Sequence, residues 1–85
     1  IKTEFSSKQM NQIRLGLEEN LDVSLYAKTI FNWKQMREIR YGLKANVNIS
    51  TYAKPEFDWS QLNEIVQGLK KKLNVSIRAN LNLKR

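Results

Sequence analysis

Neither cysteine nor histidine occurs anywhere in the 85 residues. The first absence rules out disulfides and leaves the redox compartment unmarked. The second removes histidine acid–base catalysis, and the two together exclude zinc sites built on Cys or His. No apolar run approaches the roughly 18 residues of a membrane span, and no signal-peptide pattern opens the chain. A cytoplasmic protein is the expectation. Acidic residues are also scarce, 8 against 15 Lys and Arg, which leaves a net charge of +7. Proline occurs once, at Pro55, and glycine three times.

What is present points to one small domain, near the size at which a single core barely suffices. The chain starts at Ile1 without a methionine, so a fragment of a longer protein is expected. Positive charge is graded along it. Residues 1–30 are neutral, residues 31–56 carry +3, and residues 57–85 carry +4.

The dominant signal is an internal repeat. Phe5, Phe31 and Phe57 recur every 26 residues and define units 5–30, 31–56 and 57–82. Six further positions are identical in all three: Gln9/Gln35/Gln61, Ile13/Ile39/Ile65, Gly16/Gly42/Gly68, Leu17/Leu43/Leu69, Ser24/Ser50/Ser76 and Ala27/Ala53/Ala79. A fixed short period marks a stacked architecture in which each unit buries its apolar face on its neighbour.

Each unit opens with a helix-start signature. Ser6, Asn32 and Asp58 are N-cap residues, and the invariant Gln three places later completes a capping box. Phe before the cap and Met10, Met36 or Leu62 after it form a hydrophobic staple. Met10, Ile13 and Leu17, with their counterparts, then make one helical stripe. Asn20 and Asn46 suit a left-handed position past the helix end, whereas Lys72 in the same register suits it poorly. The invariant Gly inside each helix costs about 1 kcal/mol against Ala, and is expected to admit the close approach of another backbone. The second half of each unit is ambiguous. Leu21 to Leu25 and Leu73 to Leu83 alternate like strands, yet Asp22, Asn48 and Asn74 are cap-type residues, which favours a short second helix. Ser24, Ser50 and Ser76 follow those caps, where a hydroxyl bonds free N–H groups. The predicted fold is all-α: three tandem helix–loop–short-helix repeats stacked into a compact array.

The run Gln35-Met36-Arg37-Glu38-Ile39-Arg40-Tyr41-Gly42-Leu43, with Ile49-Ser50-Thr51-Tyr52-Ala53-Lys54-Pro55 and Phe57 after it, resembles a known short repeat. That repeat occurs in uncharacterised proteins of Gram-positive gut bacteria and their mobile elements, as tandem copies beside larger domains. The resemblance covers nearly the whole chain and implies a helical repeat module in a mobile-element setting. It brings no catalytic or binding residues. Unit three departs from it at Arg78 and Leu81.

No enzyme is expected. The acids Glu4, Glu18, Glu19, Asp22, Glu38, Glu56, Asp58 and Glu64 fall in no catalytic or metal-ligand spacing, and the glycines form no phosphate loop. No cofactor or metal is implied. Two binding classes remain. A protein-interaction or scaffolding module would use Trp33 and Trp59 at the helix starts, or Tyr41 at a variable position. Trp33 and Trp59 also read as packing between units. A nucleic-acid-binding module would use Lys70, Lys71, Lys72, Arg78, Lys84 and Arg85 on phosphates. The competing explanation for the lysine run is favourable charge at a helix C-terminus. The resemblance adds a third possibility, an inhibitor of a nucleic-acid-handling enzyme, and end-to-end self-association is a further expectation.

Overall fold

The computed structural model describes the backbone of residues 4–83 and the side chains of residues 4–73. Three α-helices carry it: α1 (Ser7–Glu18), α2 (Trp33–Lys44) and α3 (Trp59–Leu83). Two short 3₁₀ turns lie between them, at Val23–Leu25 and Ile49–Tyr52, and there is no strand among the described residues. The helix starts keep the spacing of the sequence repeat, because each is set by the same box. Ser6 Oγ accepts from the Gln9 backbone N–H at 3.2 Å while Gln9 Oε1 accepts from Ser6 N–H at 2.7 Å. Asn32 with Gln35, and Asp58 with Gln61, repeat the pair of bonds at 2.8 to 3.0 Å.

The first two helices end alike. Asn20 and Asn46 take φ of 61° and 64°, the left-handed conformation that Asn tolerates better than most residues. That turn lets Asn20 N–H donate to the Leu17 carbonyl and Leu21 N–H to the Gly16 carbonyl. Asn46 N–H and Val47 N–H do the same to Leu43 and Gly42. Both ends are thus Schellman closures that satisfy otherwise orphaned carbonyls.

The third unit departs from the expected helix–loop–short-helix form. Lys72 stands where Asn20 and Asn46 stand, nothing turns the chain left-handed there, and α3 runs on as one helix of 25 residues. In the first two units the second element is helical, as expected, but it is a 3₁₀ turn of 3 and 4 residues. The hydroxyls after its caps also act differently from expectation. Ser24 and Ser50 donate to the side-chain oxygens of Asp22 and Asn48, at 2.5 and 2.8 Å, and so tie the cap side chain rather than the backbone.

Lys8 meets Trp33 at the helix starts and Glu19 meets Lys44 at the helix ends, so α1 and α2 run parallel. Lys34 with Trp59, and Lys44 beside Lys70, place α3 parallel to α2. The central helix therefore has a neighbour on each side. Its Met36 and Ile39 are fully buried, with Leu62 and Val66 of α3, Tyr26 and Phe31 of the first connection, and Ile49 of the second turn. In α1 only Gln12 and Gly16 are buried.

Gly16 and Gly42 admit side chains of their own unit, rather than a neighbouring backbone. Gly16 lies against the Tyr26 hydroxyl and Val23 Cγ1. A Cβ on Gly42 would sit 2.9 Å from Ile49 Cβ, and one on Gly68 would meet nothing within 4 Å among the described residues. The difference follows from α3, which does not fold back on itself.

Candidate interaction surfaces

The two junctions between helices are polar at their rims and share one device. The invariant Gln, having used Oε1 in its capping box, donates from Nε2 to the chain that starts the next unit. Gln9 Nε2 reaches the Phe31 carbonyl at 2.7 Å, and Gln35 Nε2 reaches the Phe57 carbonyl at 2.7 Å and the Pro55 carbonyl at 3.1 Å. One side chain thereby closes a helix start and holds the neighbouring one.

Around that clasp the partners differ. Between α1 and α2, the buried Arg40 donates from Nε to Gln12 Oε1 at 3.0 Å and from Nη1 to Glu19 at 2.9 Å. Lys44 takes the other Glu19 oxygen at 2.9 Å. Between α2 and α3, Glu38 is 2% exposed and is satisfied by Arg37 at 3.0 Å and by Asn63 Nδ2 at 3.0 Å. Removing one partner of such a buried group leaves it uncompensated, so these contacts specify how the helices meet.

The Lys44 ammonium holds the Glu19 carboxyl below its ordinary range; burial opposes it, and the Arg40 guanidinium adds to the lowering. A depressed carboxylate contributes stability above its unfolded-state pKa and loses it as pH falls through the folded value. We therefore expect Glu19→Gln to melt lower than the parent protein at neutral pH. The gap should close on acidification below the ordinary glutamate pKa, as read from melting temperatures across pH. A gap that stays constant into acid would remove the role assigned to this carboxylate. Burial pushes the Tyr26 phenol up, and its hydroxyl donates to the Gln12 carbonyl at 2.7 Å.

Along the edge formed by the helix starts, cations and indoles alternate. Lys8 Nζ and Arg37 Cζ lie 5.1 and 5.2 Å from the Trp33 ring centre. Lys34 Nζ and Arg37 Cζ lie 5.7 and 5.6 Å from that of Trp59. Cations near helix N-termini oppose the macrodipole, and the ring faces offset this by about 0.5–1 kcal/mol each. Trp33 is half-buried in this row, and Trp59 is exposed.

The remaining sequence candidates scatter. Tyr41 is exposed, with Arg40 Cζ 4.9 Å from its ring centre. Tyr41, Lys44, Ala45, Val66, Gln67 and Lys70 line a groove between α2 and α3. Lys72 lines a different hollow, beside Asn46, Val47 and Asn48. Lys70, Lys71 and Lys72 are not at a helix C-terminus, because α3 continues through them. Consecutive helix residues point about 100° apart, which divides the run among separate surfaces. Arg78 as a side chain, and Lys84 and Arg85 entirely, lie outside the described residues.

Comparison with protein-family models, with curated proteins and with solved structures finds no match to this chain. No group of three metal-binding side chains occurs among the described residues, and no described helix is long and apolar enough to cross a membrane.

One surface escaped the sequence reading. The side of α1 turned away from α2 forms an apolar hollow of about 350 Å³ lined by Phe5, Met10, Ile13, Arg14, Leu17 and Ala27. Leu17 is 60% exposed and Met10 41%, while Met36, in the register of Met10, is fully buried. The sequence carries the signal: Met10, Ile13 and Leu17 form the same stripe as Met36, Ile39 and Leu43, of which Met36 and Ile39 are fully buried.

Proposed function

We propose that the chain is a non-enzymatic helical repeat module that docks another protein on the outer face of α1. The supporting observation is that hollow. Leu17 and Met10 present apolar surface where, in the next unit, Met36 is fully buried and Leu43 packs half-buried against the core, and exposed apolar patches on small domains mark interaction sites. Arg14 and Glu18, paired at 2.6 Å, rim the patch with charge, which suits a specific rather than a general apolar contact. Repeat arrays commonly bind through such surfaces.

A photo-crosslinkable residue in place of Leu17 tests this. A discrete protein adduct is expected from that position and none from Lys28, which is exposed and is not among the residues lining the hollow. Absence of any adduct at Leu17 would overturn the reading.

A second reading, nucleic-acid binding, draws on the groove in which Tyr41 lies with Lys44 and Lys70. An aromatic ring sharing a groove with two lysines offers stacking and phosphate contact together. A gel-shift titration across salt distinguishes it. Binding that weakens with a steep negative log–log slope, and that Lys70→Glu reduces, supports it; no retention at low salt removes it.

A further inference from the structure

We infer that the partner received on the outer face of α1 is the forward face of α3 from a second copy of this chain, joined head to tail. This rests on the docking reading above and names its occupant. The register of the two junctions supports it. Across them, the clasping Gln reaches the Phe carbonyl 22 residues on. Gln12 faces Arg40, Glu38 faces Asn63, Glu19 faces Lys44, and Lys8 and Lys34 cover Trp33 and Trp59.

Carried forward by one repeat, the same register sets α3 against α1 of another copy, and the residues match. Gln61 meets the Phe5 carbonyl. Glu64, in the place of Gln12 and Glu38, meets Arg14 and Asn11, in the places of Arg40 and Asn63. Lys71, in the place of Glu19, meets Glu18, in the place of Lys44, so the ion pair survives with its signs exchanged. Ser60 stands where Lys8 and Lys34 stand, and it faces Ser7, which replaces the tryptophan, so both halves of the cation–ring contact are absent together. Lys71 also approaches Arg14, whose guanidinium Glu18 already neutralises at 2.6 Å. Gln61, Glu64 and Lys71 are exposed on α3. A contact between two different faces does not close on itself, so it produces chains or rings rather than a symmetric dimer.

Charge exchange tests the pairing, by sedimentation velocity from micromolar to millimolar protein. The parent chain should gain mass with concentration. Glu64→Arg and Arg14→Glu should each weaken association on the order of tenfold to a hundredfold, because like charges then face each other. An equimolar mixture of the two variants should recover it, since the arginine introduced at position 64 of one copy then faces the glutamate introduced at position 14 of the other. Both sites are exposed helix positions, and circular dichroism checks that each variant keeps its helix. Should either variant lose helix, Lys71→Glu with its partner change Glu18→Lys repeats the test. A parent chain that stays monomeric, or a mixture that stays as weak as its components, overturns the inference. If the chain is monomeric while the Leu17 crosslink joins a different protein, only this inference falls. If no adduct forms either, the docking reading falls with it.

Discussion

Gly42→Val is expected to lower stability by about 2 kcal/mol, which in a domain of this size moves the thermal midpoint by about 10 °C. Gly68→Ala is expected to raise stability by about 1 kcal/mol. Both residues hold the same place in their units, and their opposite signs follow from what each faces. A Cβ at Gly42 sits 2.9 and 3.0 Å from Cβ and Cγ1 of Ile49, a branched side chain that is itself fully buried. The stem of Ile49 has no room to retreat, so the second 3₁₀ turn must lift from α2. At Gly68 there is nothing within 4 Å among the described residues, so the added methyl only removes the entropy that glycine loses in a helix. Urea unfolding of dilute protein measures both. Equal effects at the two positions would mean that α3 is covered as α2 is, contrary to the fold described.

Ile39→Ala should cost about 2–5 kcal/mol, against a smaller loss for Ile13→Ala. Sequence identity gives no reason for the difference, since both are the invariant Ile of their units. Packing does. Ile39 is fully buried on the helix flanked from both sides, whereas Ile13 is half-buried on the open face of α1. Small domains are stable by about 5–15 kcal/mol, so the Ile39 variant should lie close to unfolding at ambient temperature. Denaturant midpoints for the two variants check this. Comparable losses would contradict the placement of α2 at the centre.

The local part of this fold was legible in the residues. Ser6, Asn32 and Asp58 with their glutamines announce three helix starts, because a capping box depends only on residues three apart. Asn20 and Asn46 announce two ends, because few side chains accept positive φ. Lys72 carried the opposite message, and α3 runs past it. The non-local part was not legible. That Gln9 and Gln35 hold the next unit depends on how parallel helices sit together, 22 residues away in sequence. The glycines suggest a close backbone, but the same residue type serves a close side chain, and spacing alone does not separate the two. Lys70 to Lys72 looked like one basic patch because sequence proximity conceals the angular spread of a helix. The outer face of α1 is readable in principle, as an apolar stripe that repeats the buried one of α2.

The exchange rates of the glutamine side-chain amides, followed by NMR in dilute protein, test most directly whether the invariant Gln joins one unit to the next. Gln9 and Gln35 should exchange slowly, with nuclear Overhauser contacts to the starts of α2 and α3. Gln61, whose amide has no such acceptor among the described residues, should exchange at the rate of free solvent. Three amides exchanging alike, or none in contact with the following unit, would contradict it.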